Sequence, residues 1–302
     1  SKFPDITTIV IQNGRRDNFG RIPNSGFVDI LSASHKLGKP QVKHYCMFGT
    51  AEINLFRKYI SATFHSVGSI QNNLTITQNV KTHPLAAKPV VSFVSSHPNL
   101  SSSRELTALS DEVCMYLGNR PITYNGYYGI ERLVAAEYAK ICHRLNYQFQ
   151  IIGKRSQSTP QEEQFFENAL VKTGFNFFTS ENDDSSYVRL LSSDVVLAVD
   201  STLAYEMFGR GKRCVFITAR GEAIGDSTID FCKFASPLEI PESGKFWTNI
   251  FDVTKFEGLL KFALNSSGDE WDKHSLNIRT QLMEFDPDNH KIKKLFAELG
   301  LR

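Results

Sequence analysis

Residues 193–217, SDVVLAVDSTLAYEMFGRGKRCVFI, decide the fold. The run Asp194-Val195-Val196-Leu197-Ala198-Val199 is apolar and β-branched between polar ends, the pattern of a strand buried on both faces. Asp200-Ser201-Thr202 then sets hydroxyls at the start of a short helix over 203–208, which stops at the Gly209/Gly211 pair. Cys214-Val215-Phe216-Ile217 opens the next buried strand. The order strand, sharp turn, helix, strand is that of a parallel α/β sheet. It places a helix N-terminus at the carboxyl end of a strand, where free N–H groups attract an anion. Ser201 and Thr202 are therefore candidate phosphate ligands. Asp200 either joins them or only holds the turn. Glu206, one helical turn on, is placed to accept from a ribose. A phosphate seat beside a ribose acceptor points to a nucleotide.

The same rhythm extends in both directions. Upstream, strands are expected at 8–11, 44–48 and 64–67, with a helix over 51–60. Residues 71–90 are polar, contain two prolines and read as a linker. Beyond it come a strand at 90–94, an irregular stretch, a helix over 129–145 and a strand over 147–152. A helix starting at Pro160 carries Glu162 and Glu163 in its first turn, where the helix dipole favours them. A strand at 175–178 and a helix at 185–191 lead into the opening motif. Helices over 255–264, 269–283 and 290–299 complete the chain. The expected division is 1–80 for an amino-terminal Rossmann-like half, short for a complete one, and 81–302 for a nucleotide-binding Rossmann-like half with terminal helices. The Phe-rich stripe of Phe165, Phe166, Phe175, Phe177 and Phe178 is expected in the core.

Composition narrows the partners. The 302 residues are 41% hydrophobic and 22% charged, with a net charge of +2, a globular profile without the basic field that nucleic acid requires. A pI near 8.2 is compatible with weak attraction to an anionic membrane surface. Five cysteines lie far apart without a CxxC or Cys/His cluster, as reduced, buried thiols of a cytoplasmic protein would. No apolar run is long enough to span a bilayer, and no signal peptide is visible. The chain opens Ser-Lys-Phe-Pro without Met, as a trimmed piece would. No Ser/His/Asp triad, HExxH, Walker loop or GxGxxG is present, nor a convincing DxD metal motif, since Asp183-Asp184 has no third partner, so neither a metal nor a cofactor is expected.

Asp200-Ser201-Thr202 with Glu206 resembles the donor-nucleotide motif of GT-B glycosyltransferases and the related nucleotide-sugar epimerases. Gln12-Asn13-Gly14, after the strand Thr8-Ile9-Val10-Ile11, resembles the Gln-His-Gly turn of surface-polysaccharide transferases, with Asn13 in place of the His. His44-Tyr45-Cys46-Met47-Phe48-Gly49 followed by a helix and Ser66-Val67-Gly68-Ser69 resembles the later half of their amino-terminal domain. The nearest group by these motifs is that of the bacterial Kdo transferases of capsule and lipopolysaccharide assembly. The resemblance implies a GT-B-like fold, two Rossmann-like domains with parallel sheets facing a central cleft. It also implies a nucleotide-sugar donor used without a metal, and a glycan or glycolipid acceptor, with the enzyme in the cytoplasm at the inner membrane face. A CMP-activated acidic sugar such as Kdo is the first donor to consider and a UDP- or GDP-sugar the next. A polyol-phosphate transferase of teichoic-acid type, an epimerase and a non-catalytic GT-B scaffold or sugar-binding module are the alternatives.

The other candidate residues follow from strand ends. Lys154 and Arg155 directly follow a strand and would lie on the same edge as Ser201, where cations neutralise a leaving phosphate; a solvated basic turn is the plain alternative. His97, in Ser95-Ser96-His97-Pro98, ends another strand there and is a candidate proton carrier. Gln12, Asn13, Gly14, Arg15 and Arg16 end an amino-terminal strand facing the cleft. Gly14 would admit close approach of the donor, Gln12, Arg15 and Arg16 would contact an anionic sugar or acceptor, and Asn13 joins the catalytic candidates. Gly68-Ser69 is a weaker version of the same turn. Tyr124 and Asn125 are candidate sugar contacts and Glu131 a candidate catalytic carboxylate, although Asn125-Gly126 is first of all a turn signal. The acidic segment 180–184 is expected to be a solvated loop.

Overall fold

The structure is a computed structural model that describes residues 7–15, 19–74, 88–96, 112–153, 160–170, 173–179, 185–227, 229 and 232–301. Along the chain run β1 (Ile9–Ile11), β2 (Phe19–Gly20), α1 (Phe27–Lys36), β3 (Gln41–Met47), α2 (Thr50–Phe56), β4 (Ser61–Ser66) and α3 (Ile70–Leu74). There follow β5 (Val90–Val94), β6 (Val113–Leu117), β7 (Arg120–Thr123), α4 (Tyr124–Leu145), β8 (Gln148–Ile152), α5 (Pro160–Leu170), β9 (Asn176–Phe178) and α6 (Ser185–Ser192). The last part holds β10 (Val195–Ala198), α7 (Thr202–Gly209), β11 (Cys214–Ile217), α8 (Arg220–Ala223), β12 (Trp247–Thr248), α9 (Val253–Asn265), α10 (Gly268–Leu282) and α11 (His290–Glu298).

The apolar runs that define β5, β8, β10 and β11 become the centre of a six-stranded sheet ordered β12-β11-β10-β5-β8-β9. Every pairing in it is parallel. Because both faces are covered by helices, β5, β10 and β11 are buried at every position. The chain winds from β5 outward to β9, then returns to the other side of β5 to lay down β10, β11 and β12. Strand order therefore reverses between β5 and β10, and the crevice outside their carboxyl ends is the natural ligand position of such a sheet. A second, parallel sheet, β1-β3-β4, forms the amino-terminal half.

Three expectations need correction here. The stretch read as irregular contains an antiparallel hairpin, β6 with β7, joined by β2 into a third sheet. The helix after it begins at Tyr124 rather than residue 129, because the Thr123 side chain caps it by accepting from the Gly126 N–H at 3.0 Å. Asn125-Gly126 thus lies inside the first turn of a helix. The linker read over 71–90 is part structure: α3 reaches Leu74 and β5 starts at Val90, while 75–87 lie outside the described residues.

The halves are joined by more than one covalent passage. From the end of α10 the chain crosses between them as a strap, and three glycines allow this backbone close. A Cβ at Gly49 would stand 2.1 Å from the Gln281 carbonyl oxygen, one at Gly68 2.1 Å from that of Glu284, and one at Gly209 2.6 Å from that of Met283. Gly68 also has φ +74, a conformation that side chains resist. The strap is tied down by Glu284 N–H to the Phe48 carbonyl (2.8 Å) and Asp286 N–H to Asn73 Oδ1 (3.0 Å). It delivers α11 to the amino-terminal sheet, where Ile292 and Leu295 pack with Cys46 and Val67. The last helix, expected within the second half, thus completes the core of the first.

Gly49→Ala should lower stability by about 1–3 kcal/mol through overpacking against the strap. Gly258→Ala, on an exposed turn of α9 where a Cβ meets nothing within 4 Å, should raise it by about 0.5–1 kcal/mol. Urea unfolding of the two variants beside the parent protein checks both signs.

Candidate functional site

The site forms where the β1 turn meets the N-terminus of α7. Gln12, at the end of β1, is buried, and its amide is fully used. Its Oε1 accepts from the Phe48 N–H at 2.9 Å, and its Nε2 donates to the Gly14 carbonyl at 3.0 Å and to Glu52 Oε2. Glu52, in the first turn of α2, is 4% exposed and also stands 3.8 Å from Arg15 Nε. The turn of residues 12–15 is thereby fixed to β3 and α2. Gln12 supports the turn from within rather than presenting a side chain to a sugar. Asn13 is exposed at its tip. A Cβ at Gly14 would meet nothing within 4 Å, so the packing here does not demand glycine.

Arg15 carries this turn across to the other half. Its N–H donates to Thr202 Oγ1 at 3.3 Å, its Nη2 donates to the Ser236 carbonyl, and its guanidinium lies 3.9 Å above the Tyr205 ring. Burial opposes the charge on Arg15, but Tyr205 and Glu52 outweigh it and hold the pKa above its ordinary value. The cation is therefore permanent. Opposite it, Ser201 is the N-cap of α7 and its side chain makes no capping bond. Ser201 and Thr202, an arginine and a helix N-terminus converge at the carboxyl end of β10, beside the reversal of strand order.

Beneath this turn lies a charged cluster that the sequence reading did not assemble. Arg220, just past the end of β11, is wholly buried. It donates to Asp200 through Nε (2.6 Å) and Nη2 (2.7 Å), to Glu131 Oε1 through Nη2 (2.9 Å), and to the Tyr127 carbonyl through Nη1. The Tyr127 ring faces the same guanidinium at 3.8 Å. The second oxygen of Glu131 accepts from the Ser96 N–H at 2.9 Å. Glu131 has no exposed surface, and burial raises its pKa although Arg220 acts in the opposite direction. A carboxylate enclosed in this way does not face an acceptor hydroxyl. Glu131 belongs to the support of the site, not to its reacting edge.

Glu206 is also more enclosed than a free ribose acceptor would be. Tyr187 Oη donates to its Oε2 at 2.7 Å, Ser69 of the amino-terminal half bonds the same carboxylate, and burial raises its pKa. Nearby, Asn72 of α3 donates to the Glu206 carbonyl at 3.3 Å and receives Arg210 Nε at 2.6 Å. The Gly68-Ser69 turn thus does meet the α7 motif, through Ser69. Tyr124 stacks on Tyr128 at the start of α4, and Asn125 is exposed beside it. Arg16, His97, Lys154, Arg155 and the segment 180–184 lie outside the described residues. Among the described residues no group of His, Cys, Asp and Glu is arranged to hold a metal, and no helix is long and apolar enough to cross a membrane. Cys46, Cys114, Cys142 and Cys214 are free thiols, and burial pushes Cys46 and Cys142 up to about 11 and about 12.

The raised pKa of Glu206 has a measurable sign. The folded protein keeps this proton to a higher pH than the unfolded chain does, so stability declines as pH rises above the ordinary value of 4.5 towards the folded value. Glu206→Gln removes the titrating group. Urea unfolding between pH 4.5 and 8 should show a shallower decline in the variant than in the parent; equal slopes would refute the assignment.

Comparisons with known proteins place this geometry. A search of curated proteins finds no match. The wall teichoic acid polymerase TagF, as its H444N variant, is 12% identical with a TM-score of 0.51, covering 97% of this chain and 67% of that one. TagF without that substitution gives 11% identity, a TM-score of 0.49, and 99% and 68% coverage. A K341M mutant of the Thermobaculum terrenum O-GlcNAc transferase gives 8%, 0.37, and 87% and 46%. At these identities the likeness to the TagF variant speaks for the fold alone, and with the two parallel sheets it identifies that fold as GT-B. A family profile described as "putative O-antigen biosynthesis protein" matches residues 9–299, and the chain belongs to that family.

Proposed function

We propose that the chain is a glycosyltransferase of surface-polysaccharide assembly, transferring a sugar from a nucleotide donor to a glycan acceptor. The observation that carries this reading is the meeting of Arg15 with Thr202 at the N-terminus of α7, beside the point where strand order reverses. A leaving nucleotide develops negative charge on phosphate. The first-turn N–H groups of α7, the Ser201 and Thr202 hydroxyls and the permanent Arg15 cation are set to stabilise that charge. Because protein groups supply the positive charge, this reading calls for no metal and no cofactor. Lys154 and Arg155 are proposed as further cations for a diphosphate donor.

Glu206 is the ribose acceptor in this scheme. Ser69 now bonds its carboxylate, and a ribose hydroxyl would take the place of Ser69. The acceptor approaches from the side of Asn13, Tyr124 and Asn125; Arg16 is a further proposed acceptor contact, and His97 is the proposed base for the acceptor hydroxyl. The donor is a CMP-activated acidic sugar of the Kdo kind, with a UDP- or GDP-sugar next. Polyol-phosphate transfer is the second reading, favoured by the likeness in fold to a wall teichoic acid polymerase. Work at the cytoplasmic membrane face suits either acceptor.

Calorimetric titration with CMP, UDP, GDP and CMP-Kdo tests the donor: CMP and CMP-Kdo should bind in preference to the others. Binding of UDP or GDP alone would discard the Kdo donor, and binding of none would discard the nucleotide site. Arg15→Ala and Glu206→Ala should each weaken the nucleotide by about 1.5–3 kcal/mol, the loss typical of a charged hydrogen bond. Unchanged affinity in a folded variant would remove that residue from the site.

A further inference from the structure

We propose that Arg220 is a positioning residue that keeps the protein's own carboxylate out of the phosphate seat. The inference rests on the donor-site reading above and concerns how that seat stays available. Asp200 lies one residue before the N-cap of α7. A short carboxylate at a helix start readily turns onto the free N–H groups, where the helix dipole also attracts it. An aspartate in that position would compete with any incoming phosphate.

The observed geometry directs it elsewhere. Arg220 engages both Asp200 oxygens as a fork, at 2.6 and 2.7 Å. The fork cannot drift, because Glu131, the Tyr127 carbonyl and the Tyr127 ring hold the other sides of the guanidinium. Glu131 is itself anchored by the Ser96 N–H just beyond β5. One buried cation thus ties together the chain just beyond the carboxyl ends of β5, β10 and β11. Arg220 has no exposed surface, so it does not touch the nucleotide; it acts through Asp200. Arg15 on the cleft side also attracts Asp200, so two cations act on this carboxylate.

Removing Arg220 frees Asp200 to fold onto α7 and act as an internal anion. Three variants, Arg220→Gln, Asp200→Asn and the two combined, are compared by calorimetry with CMP, cytidine and pyrophosphate as probes. Arg220→Gln should weaken CMP and pyrophosphate at least about tenfold, as loss of charged hydrogen bonds implies, and leave cytidine unchanged. Adding Asp200→Asn should recover most of that loss, because the competing charge is gone. Asp200→Asn alone should tighten pyrophosphate several-fold, since Arg220 then keeps part of its charge uncompensated.

A purely structural arginine would give a different pattern: cytidine would weaken with CMP, and the double variant would bind no better than Arg220→Gln. Either result overturns the proposal. If the parent protein binds both CMP and pyrophosphate and Arg220→Gln binds them equally well, the proposal falls and the donor site stands. If the parent protein binds neither, the donor-site reading falls and takes the proposal with it. Circular dichroism establishes folding first. Should Arg220→Gln fail to fold, Arg220→Lys replaces it, keeping the charge but losing the fork. The expectation is then an intermediate loss of anion binding with the same rescue by Asp200→Asn, and absence of rescue overturns the proposal.

Discussion

Close approach of one backbone segment to three glycines is the constraint on which the remaining structure depends. The end of α10 touches Gly49 in one half, and the strap after it touches Gly68 in the same half and Gly209 in the other. Backbone contact leaves little play, because neither side can yield by changing a rotamer. Gly49 begins the loop into α2, which carries Glu52, and Gly209 ends α7, which carries Thr202, Tyr205 and Glu206. The strap therefore sets the distance between the helix that supports the β1 turn and the helix that receives it. Arg15 reaches Thr202 because that spacing is fixed elsewhere.

Both sides of the cleft use the same electrostatic device. A carboxylate with almost no exposed surface holds an arginine against a turn: Glu52 with Arg15 on one side, Glu131 with Arg220 on the other. Buried ion pairs are weak sources of stability, since desolvation offsets most of the attraction. Their value here lies in direction. Gln12 adds a neutral brace to the first pair, and the Tyr127 ring and carbonyl add theirs to the second. Aromatic faces sit against both guanidinium planes, Tyr205 on Arg15 and Tyr127 on Arg220, so the cations are oriented as well as neutralised.

Much of the sheet framework was legible in the sequence, because fully buried parallel strands leave continuous apolar runs such as Val90-Val91-Ser92-Phe93-Val94. Elements without that signature were not. Helix α1 buries no residue fully, and its apolar positions, Phe27, Val28, Ile30 and Leu31, cover little more than one turn before Ser32-Ala33-Ser34-His35-Lys36, too short a stretch to mark a helix. The β6-β7 hairpin is short and contains Pro121, which reads against a strand. The start of α4 was obscured by Asn125-Gly126, where a local turn preference yielded to the Thr123 cap and to the packing of the helix body. In the site, Ser201, Thr202, Arg15 and Glu206 stood out by their place after strands. Arg220 and Glu52 did not, since their meaning lies in partners far along the chain: Arg220 meets Glu131 across 89 positions and Gln12 meets Glu52 across 40. The available hint was an arginine soon after the buried strand Cys214-Val215-Phe216-Ile217, on the edge already assigned to the nucleotide.

The placement of α11 has a consequence for biosynthesis. The amino-terminal sheet leaves the ribosome before the six-stranded one, yet the side chains that seal Cys46 and Val67 from water, Ile292 and Leu295, are made more than two hundred residues later. Until then that sheet has one apolar face uncovered, a state in which nascent chains are prone to associate wrongly. The six-stranded sheet also waits for late residues, since α9 packs on β10 and β11 and Trp271, Leu282 and Met283 belong to its core. Vectorial synthesis therefore leaves both sheets open until late, and the earlier half closes last, when α11 docks.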